Sequence, residues 1–449
     1  MSIDMLPDDV LLEIFDFYVR IRAWRLLVHV CRRWRSIVFG SPRRLDLRLF
    51  CSNKTPARET LDVWPALPLS IKCDKRAERV DNIVAVLERS DRVCHINLGI
   101  KSSDLETISA AMQVQFPDLT HLVLWSHGET VSVIPDSFLG GSAQRLENLT
   151  LENIPFPGLP KLLLSATHLV TLQVVFIPHS GYFSPEEIAT ALSTLTRLES
   201  LWLLFESPQS CPDWARQHPP PSPRSVLPAL IRFWFKGVTE YLEIVVARID
   251  APRLSKLDVT FFNAIVFDTP QFIQFIRRTS MLKPLQKARV TFEGDTATVK
   301  LSSQTSGYKA EELKVRIPCR ELDWQVSSMV QVCTSCLPPL STLEDVFIYE
   351  DPCWQTHWQD NIENVLWLEL LHPFTSVKNL YISGYIAQGI VPALQELVGG
   401  RATEVLPTLQ NIFLELQPSR PVQEGIQQVI AVRQAAGHPI AVSYRQILR

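Results

Sequence analysis

No stretch of this 449-residue chain reaches the roughly 20 uninterrupted apolar residues that a membrane-crossing helix needs. The densest runs, "LWLLF" and "FIQFI", are far too short. The opening "MSIDMLPDD" holds neither a basic segment nor an apolar one, so no secretion signal is read there. Nine cysteines, odd in number and scattered, lay out no disulfide framework. Charge of one sign is also missing: 44 Lys and Arg against 47 Asp and Glu leave a formal net charge of −3, which argues against a general polyanion binder. The expectation is a soluble chain of the cytoplasm or nucleus, with neither membrane nor nucleic acid as partner.

The signatures of chemistry are absent too. The sequence has no Gly-x-x-x-x-Gly-Lys-Ser/Thr phosphate loop and no Gly-x-Gly-x-x-Gly, Gly-x-Ser-x-Gly or His-Glu-x-x-His. Its ten histidines lie far apart. A hydrolase or transferase would need a convergent polar pocket that nothing in the linear order locates, so neither catalytic residues nor a cofactor are expected. Cys333-x-x-Cys336, followed by Cys353-x-x-x-His357, has the ligand types of a zinc site. Cys333, however, extends the apolar stripe of Val326, Met329 and Val330. A buried thiol behaving as a small hydrophobe is the simpler reading, and no metal is expected.

What is present is a recurrence. A large apolar residue, two others, an apolar residue, one other and an apolar residue appear twelve times in order. The copies are "VCHINL" (Val93), "LTHLVL" (Leu119), "LENLTL" (Leu146), "LVTLQV" (Leu169), "LESLWL" (Leu198) and "LIRFWF" (Leu230), then "LSKLDV" (Leu254), "LQKARV" (Leu285), "AEELKV" (Ala310), "LEDVFI" (Leu343), "VKNLYI" (Val377) and "LQNIFL" (Leu409). Successive starts lie 23 to 34 residues apart, the range of stacked supersecondary units. The second half of each hexamer alternates as a half-buried strand does. Helical material lies between: "SPEEIATALSTLT" opens with Ser184, Pro185 and Glu187 at N-cap, first-turn and capping-box positions. The segments from Asp268 and Asp323 space their apolar residues at threes and fours. Strand, turn and helix repeated resemble a leucine-rich-repeat solenoid, an α/β fold with a parallel sheet on one face and helices on the other. Asn153 stands near the place where regular repeats keep an asparagine to satisfy turn carbonyls. The competing reading is an ordinary mixed α/β domain in which the pattern arises by chance.

Two interruptions break the recurrence. The proline-dense stretch 206–228 leaves no room for helix or strand and is expected to protrude as a loop. The polar run from Glu293, with Thr298 and Lys300 in alternation, predicts a hairpin or a flexible loop.

The first 48 residues do not follow the repeat. In "LPDDVLLEIFDFYV", Val10, Leu11, Ile14, Phe15 and Tyr18 fall on one helical face, and Leu27, Val30, Cys31, Trp34, Ile37 and Val38 do so in "WRLLVHVCRRWRSIV". Two helices of about 15 residues cannot make an independent core, so they either dock on the repeats or show apolar surface to a partner. Leu6, Pro7, Asp9, Leu11, Ile14 and Phe15, followed by Val30-Cys31-Arg32-Arg33-Trp34-Arg35 and Pro42, resemble an F-box over residues 4 to 48. The run onward through "SPRRLDLRLFCSNKTPARETLDVWPALPLSI" is similar to a group of F-box proteins with irregular leucine-rich repeats, abundant in mushroom-forming (basidiomycete) fungi. That resemblance implies a substrate-recognition subunit of a Skp–cullin–F-box ubiquitin ligase. It would bind the Skp-type adaptor, and through it a cullin ligase, and would present an unknown protein target on the repeats.

The implied organisation is an F-box at 4–48, a linker at 49–79 and the solenoid at 80–449. Adaptor contacts are expected at Leu6, Pro7, Leu11, Ile14, Phe15, Val30, Cys31 and Trp34, with some of these forming the module's own core. Between Asp16 and Asp46 no acid occurs, while eight arginines do (20, 22, 25, 32, 33, 35, 43 and 44), a charge that would steer an acidic partner. The alternative is a scaffold outside ubiquitin chemistry, whose F-box-like helices bind only their own repeats.

Overall fold

The computed structural model describes residues 6–19, 24–41, 45, 47–52, 57–73, 80–128, 132–210, 224–262, 269–282, 285–303, 311–338, 340–350, 362–415 and 419–445. These residues divide into two compact units, with the division at residues 176–184.

The first unit opens with helices α1 (Asp8–Val19), α2 (Trp24–Leu27) and α3 (Arg32–Gly40), which pack on one another. Then come β1 (Leu49–Cys51), α4 (Ala57–Val63), β2 (Leu69–Cys73), α5 (Val80–Leu87), β3 (Val93–Lys101), α6 (Leu105–Ala111), β4 (His121–His127), β5 (Asn148–Glu152), α7 (Leu159–Leu163) and β6 (Thr171–Ile177). The six strands pair in chain order and all in parallel. The alternation seen in the sequence becomes a ladder: Ile71, Ile96, Leu122, Leu149 and Leu172 lie side by side across five strands, every one buried. No strand could bury that row without its neighbours, which is why the unit must be repeated. The backbone passes the connection upward as well. Glu147 and Asn148 both donate to the Thr120 carbonyl, and Val170 and Thr171 both donate to that of Glu147.

Residues 49–79, expected as a linker, carry β1, α4 and β2, so the parallel sheet begins before the first full hexamer. Leu47, Leu49 and Cys51, and then Leu67, Leu69, Ile71 and Cys73, alternate inward and are buried. Their period of two stood in the sequence without the leading apolar residue that marks the later copies.

The second unit contains α8 (Pro185–Leu192), β7 (Ser200–Phe205), β8 (Ser225–Val226), β9 (Arg232–Gly237), α9 (Thr239–Arg248), β10 (Ile249–Asp250), β11 (Lys256–Phe261) and α10 (Pro270–Arg278). It continues with β12 (Lys287–Glu293), β13 (Thr296–Ser302), β14 (Glu312–Pro318), α11 (Leu322–Gln331), β15 (Asp345–Glu350), α12 (Asn364–Leu371), β16 (Asn379–Ile382), α13 (Ile386–Gln395), β17 (Asn411–Glu415), α14 (Arg420–Ala435) and β18 (Ala441–Arg445). All twelve hexamers of the sequence lead into strands of the two units, and helices back each sheet. The helix starts follow the sequence cues: Ser184 and Glu187 exchange both bonds of a capping box at α8. One repeat also caps the next, because the Glu243 carboxylate on α9 accepts from the backbone N–H groups of Gln271 (2.9 Å) and Phe272 (2.7 Å) at the start of α10.

Two features depart from a plain solenoid. The run from Glu293 is the hairpin of the two alternatives, but it does more than protrude. β13 pairs antiparallel with both β12 and β14 inside the sheet, so β14 lies beside β11 and β12 lies beside β15. The inner rows tolerate the reversal because the pleat alternates identically in either direction, as in the buried set Val290, Val299 and Val315. The second departure is in the proline-dense stretch. Most of it lies outside the described residues, yet its end forms β8, which pairs in parallel with β10.

Candidate functional site

The helical module is built around Leu11, Leu12 and Phe15 on α1, Leu27 and Val28 at α2, and Val38 on α3, all buried. Trp34 closes this small core, its ring centroid 4.8 Å from that of Phe15 at 58°. The second segment is not one helix. The chain turns at residues 28–30, and Cys31, with extended backbone angles, caps α3 by accepting from the Trp34 N–H at 3.4 Å. Cys31 is therefore a capping residue and not part of a helix face, a role that its usual place among small hydrophobes does not suggest.

The eight residues expected at the adaptor contact divide into two sets. Leu11 and Phe15 are fully buried and Trp34 and Ile14 partly so. Leu11 and Phe15 hold the module together and have no surface to offer. Leu6 and Cys31 are half-buried, and the Leu6 carbonyl accepts from Arg33 Nη2 at 2.6 Å. Pro7 is exposed ahead of α1 and its carbonyl accepts from the Leu11 N–H. Val30 is 59% exposed. Of the wider helix faces, Val10 turns outward, and Phe17 and Leu26, absent from the expected set, are the most exposed apolar side chains here at 71% each. Phe17 follows Val10 and Ile14 at four and then three residues, so spacing alone could not set it apart from the buried side of its helix.

The arginines are less free than their number suggested. Arg33 grips Asp8 through Nη2 at 2.6 Å and Nε at 3.1 Å, stapling α3 to the start of α1, while Arg35 Nε donates to the Val28 carbonyl at 2.8 Å. Arg20, Arg22, Arg43, Arg44 and Pro42 lie outside the described residues, as do the side chains of Tyr18 and Arg25. The module also meets the first repeat: the Trp64 ring, just past α4, stands edge-on 6.4 Å from both His29 and Phe39.

The zinc-like pattern is divided. Cys333 is buried in a π turn that continues α11, whereas Cys353, His357 and the Cys336 side chain lie outside the described residues. Among the described residues no three His, Cys, Asp or Glu side chains group to hold a metal. One pocket on the second unit is lined mainly by Ile276, Leu282, Leu285, Leu301, Leu340 and Leu343, which are groups for packing and not for proton transfer. No helix among the described residues is long and apolar enough to cross a membrane.

Comparison with protein families assigns residues 3–48 to the F-box-like family. Comparison with curated proteins finds no match. Among solved structures, the leucine-rich repeat-containing protein LegL7 from Legionella pneumophila is similar at 12% identity and a TM-score of 0.29, over 85% of this chain and 97% of that one. The complex of Rad7 and Elc1 from yeast gives 12% identity and a TM-score of 0.28, over 91% and 88%. At such TM-scores neither likeness bears on what this chain does. The chain thus carries an F-box-like module at its N-terminal end, ahead of mostly parallel repeat sheets backed by helices.

Proposed function

We propose that this chain is the substrate-recognition subunit of a Skp–cullin–F-box ubiquitin ligase of the cytoplasm or nucleus. The F-box-like module docks a Skp-type adaptor and the repeats hold the protein target. The observation that carries this reading is a module matching the F-box-like family whose core closes on Leu11, Phe15 and Trp34 while Val10, Phe17, Leu26 and Val30 stay outside it. Apolar side chains kept out of so small a core are what a helical partner can bury. The chain itself makes or breaks no bond. By holding target and ligase together it raises the effective concentration of target lysines near the conjugating enzyme.

The test is co-purification of the full chain with a Skp-type adaptor, beside a Leu26→Asp, Val30→Asp double variant whose circular dichroism matches the parent. Stoichiometric capture by the parent and its loss in the variant is the expected result. A folded parent that captures no adaptor overturns the proposal. The contacts of Trp64 with His29 and Phe39 would then favour the other reading, a scaffold whose F-box-like helices serve its own repeats.

A further inference from the structure

The solvent-facing side of the second unit is set by the alternate residues of its strands, and on five adjacent strands its charge is one-sided. β9 presents Arg232, Trp234 and Lys236; β11 presents Lys256, Asp258 and Thr260; β14 presents Glu312, Lys314 and Arg316. β13 adds Lys300 between threonines and Ser302, and β12 adds Lys287, Arg289, Thr291 and Glu293. Eight of these side chains are cationic and three are acidic, in a chain that carries a net charge of −3. Two of the three acids are committed within the face: Asp258 to Arg316 at 2.8 Å and Glu312 to Lys300 at 2.9 Å.

The register concentrates the excess. Lys314 is paired across the strands with Lys300, and Lys300 with Arg289, so three cations stand in one row at the spacing of adjacent strands, roughly 4.8 Å. Arg232 and Lys256 form a second like-charge pair. Like charges directly opposite one another destabilise a sheet, and nothing in the packing requires them, because the buried side of the same strands is a complete apolar row. Lys314 is half-buried with no hydrogen bond or ion pair among the described residues, and burial, then the neighbouring Arg316, hold its ammonium below the usual lysine range. The balance is an electrostatic cost at an open surface, which Asp258, opposite Lys314 on β11, and Glu293 offset only in part.

The same row continues into aromatic rings. Arg289 lies 5.8 Å from the Phe347 centroid and 5.4 Å from that of Tyr349. Phe347, Tyr381 and Phe413 stack in turn on β15, β16 and β17, at 4.1 Å and 13° and then at 4.5 Å and 12°. At the other end Trp202 and Trp234 lie 4.4 Å apart. Tyr381 is stacked on both faces and Phe347 lies between Tyr381 and Arg289, so the ring faces in the middle of the row are already taken. A nucleobase needs an open ring face to stack upon, whereas an extended polypeptide can lay apolar side chains along ring edges.

We infer that this face binds an extended acidic protein segment, its carboxylates over Lys314, Lys300 and Arg289 and its apolar side chains along Phe347, Tyr381 and Phe413. Calling that segment the target of a ligase rests on the proposed function; its binding does not. The experiment uses the full chain and a fluorescein-labelled peptide of the pattern Glu-Glu-Leu-Glu-Glu-Phe, twice repeated. Its controls are the same peptide with Gln for Glu and a single-stranded oligothymidine of equal length. Fluorescence anisotropy should show binding of the acidic peptide that weakens with salt, none of the Gln peptide, and at least a tenfold loss in a Lys314→Gln, Arg289→Gln variant. Because that variant removes like-charge repulsion, its melting temperature should be equal to the parent's or higher, which a structural role for the row would not allow. Equal binding of the Gln peptide, no binding of the acidic one, or oligothymidine binding lost in the same variant would each overturn the inference. Adaptor capture by the same preparations is read separately, so failure of the peptide and failure of the F-box-like module cannot be confused.

Discussion

The two units solve the same packing problem with different wiring. In the first, strand order in space follows strand order in the chain from β1 to β6. In the second, the chain leaves β11, passes over two positions to lay down β12, returns through β13 and β14, and then resumes at β15. Both bury continuous apolar ladders and both hand backbone bonds from repeat to repeat. The lesson is that a hexamer of this kind specifies which side of a strand is buried, not which strand lies beside it. Neighbours are chosen by what the intervening segment can span, and a hairpin can be taken into the sheet where a helix would otherwise cross over. The open sides differ too. The second unit shows cations between aromatic groups, while the first shows His95, His121, Trp125 and His127 on β3 and β4, with the paired His95 and His121 rings 5.1 Å apart.

The most damaging way to break the comparison is at the reversed strand. Val299 on β13 is fully buried between Val290 and Val315, its partners on either side. Val299→Asp would bury an unpaired carboxylate there, at a cost of about 4 kcal/mol or more. Hydrogen exchange should then lose protection from β11 through β15 and keep it on β2 to β5. Equal loss in both units would show that they unfold as one.

A pH titration sharpens the contrast between the open sides. Burial, then the neighbouring His121, lower the His95 pKa to about 4 from 6.5, and its Nδ1 has no hydrogen-bond partner among the described residues. Between pH 6.5 and 4 the unfolded chain takes up a proton that the folded chain refuses, so stability is whole above 6.5 and is lost as the pH falls. The shift sets an upper bound of about 3 kcal/mol, and solvent screening at a partly exposed ring reduces the expected loss to about 1–2 kcal/mol. No histidine lies on the open side of β9, β11 to β17 in the second unit, so the loss should fall on the first. His95→Asn should flatten it. A drop of the same size in that variant would assign the effect to other groups.

Much of the fold could be read in advance, because a period of two with a leading leucine survives without its neighbours. The twelve hexamers, the capping box at Ser184 and the helices from Asp268 and Asp323 are all local in origin. What stayed hidden is non-local. β1 alternates over too few residues to announce itself, the alternation around β2 stands outside the recurrence, and the place of β13 depends on strands on either side of it. In the helical module the resemblance picked out the right segment but could not divide core from surface. Leu11 and Phe15 point inward and Val30 outward through the packing of three helices, and Cys31 became a cap because the chain turns at residues 28–30. The row of Lys314, Lys300 and Arg289 was invisible for the same reason, since its members come from three strands and meet only through register.

An effect of comparable size lies at a turn that the sequence did announce. Asn153 has φ of +52°, and its side-chain amide donates to the Gly128 carbonyl at 2.9 Å and reaches the Ser126 carbonyl at 3.4 Å, both one repeat earlier. The second unit has a turn of the same backbone hand at Leu406, with φ of +51°, where leucine can donate nothing. There a buried arginine from a separate helix supplies the bonds, Arg433 donating to the Leu406 carbonyl at 3.1 Å and to that of Val405 at 2.7 Å. Both units thus satisfy carbonyls from about one repeat further along the chain, the first with an asparagine that itself sits in a left-handed turn and the second with an arginine on α14. Asn153→Ala removes a bond worth about 1 kcal/mol and adds a left-handed penalty of about 1 kcal/mol, so denaturant unfolding should show a loss near 2 kcal/mol. Asn153→Gly removes the bond but keeps the backbone at ease, and about half the loss should return. If glycine is as harmful as alanine, the side-chain bond carries the whole effect and the left-handed angle costs this turn nothing.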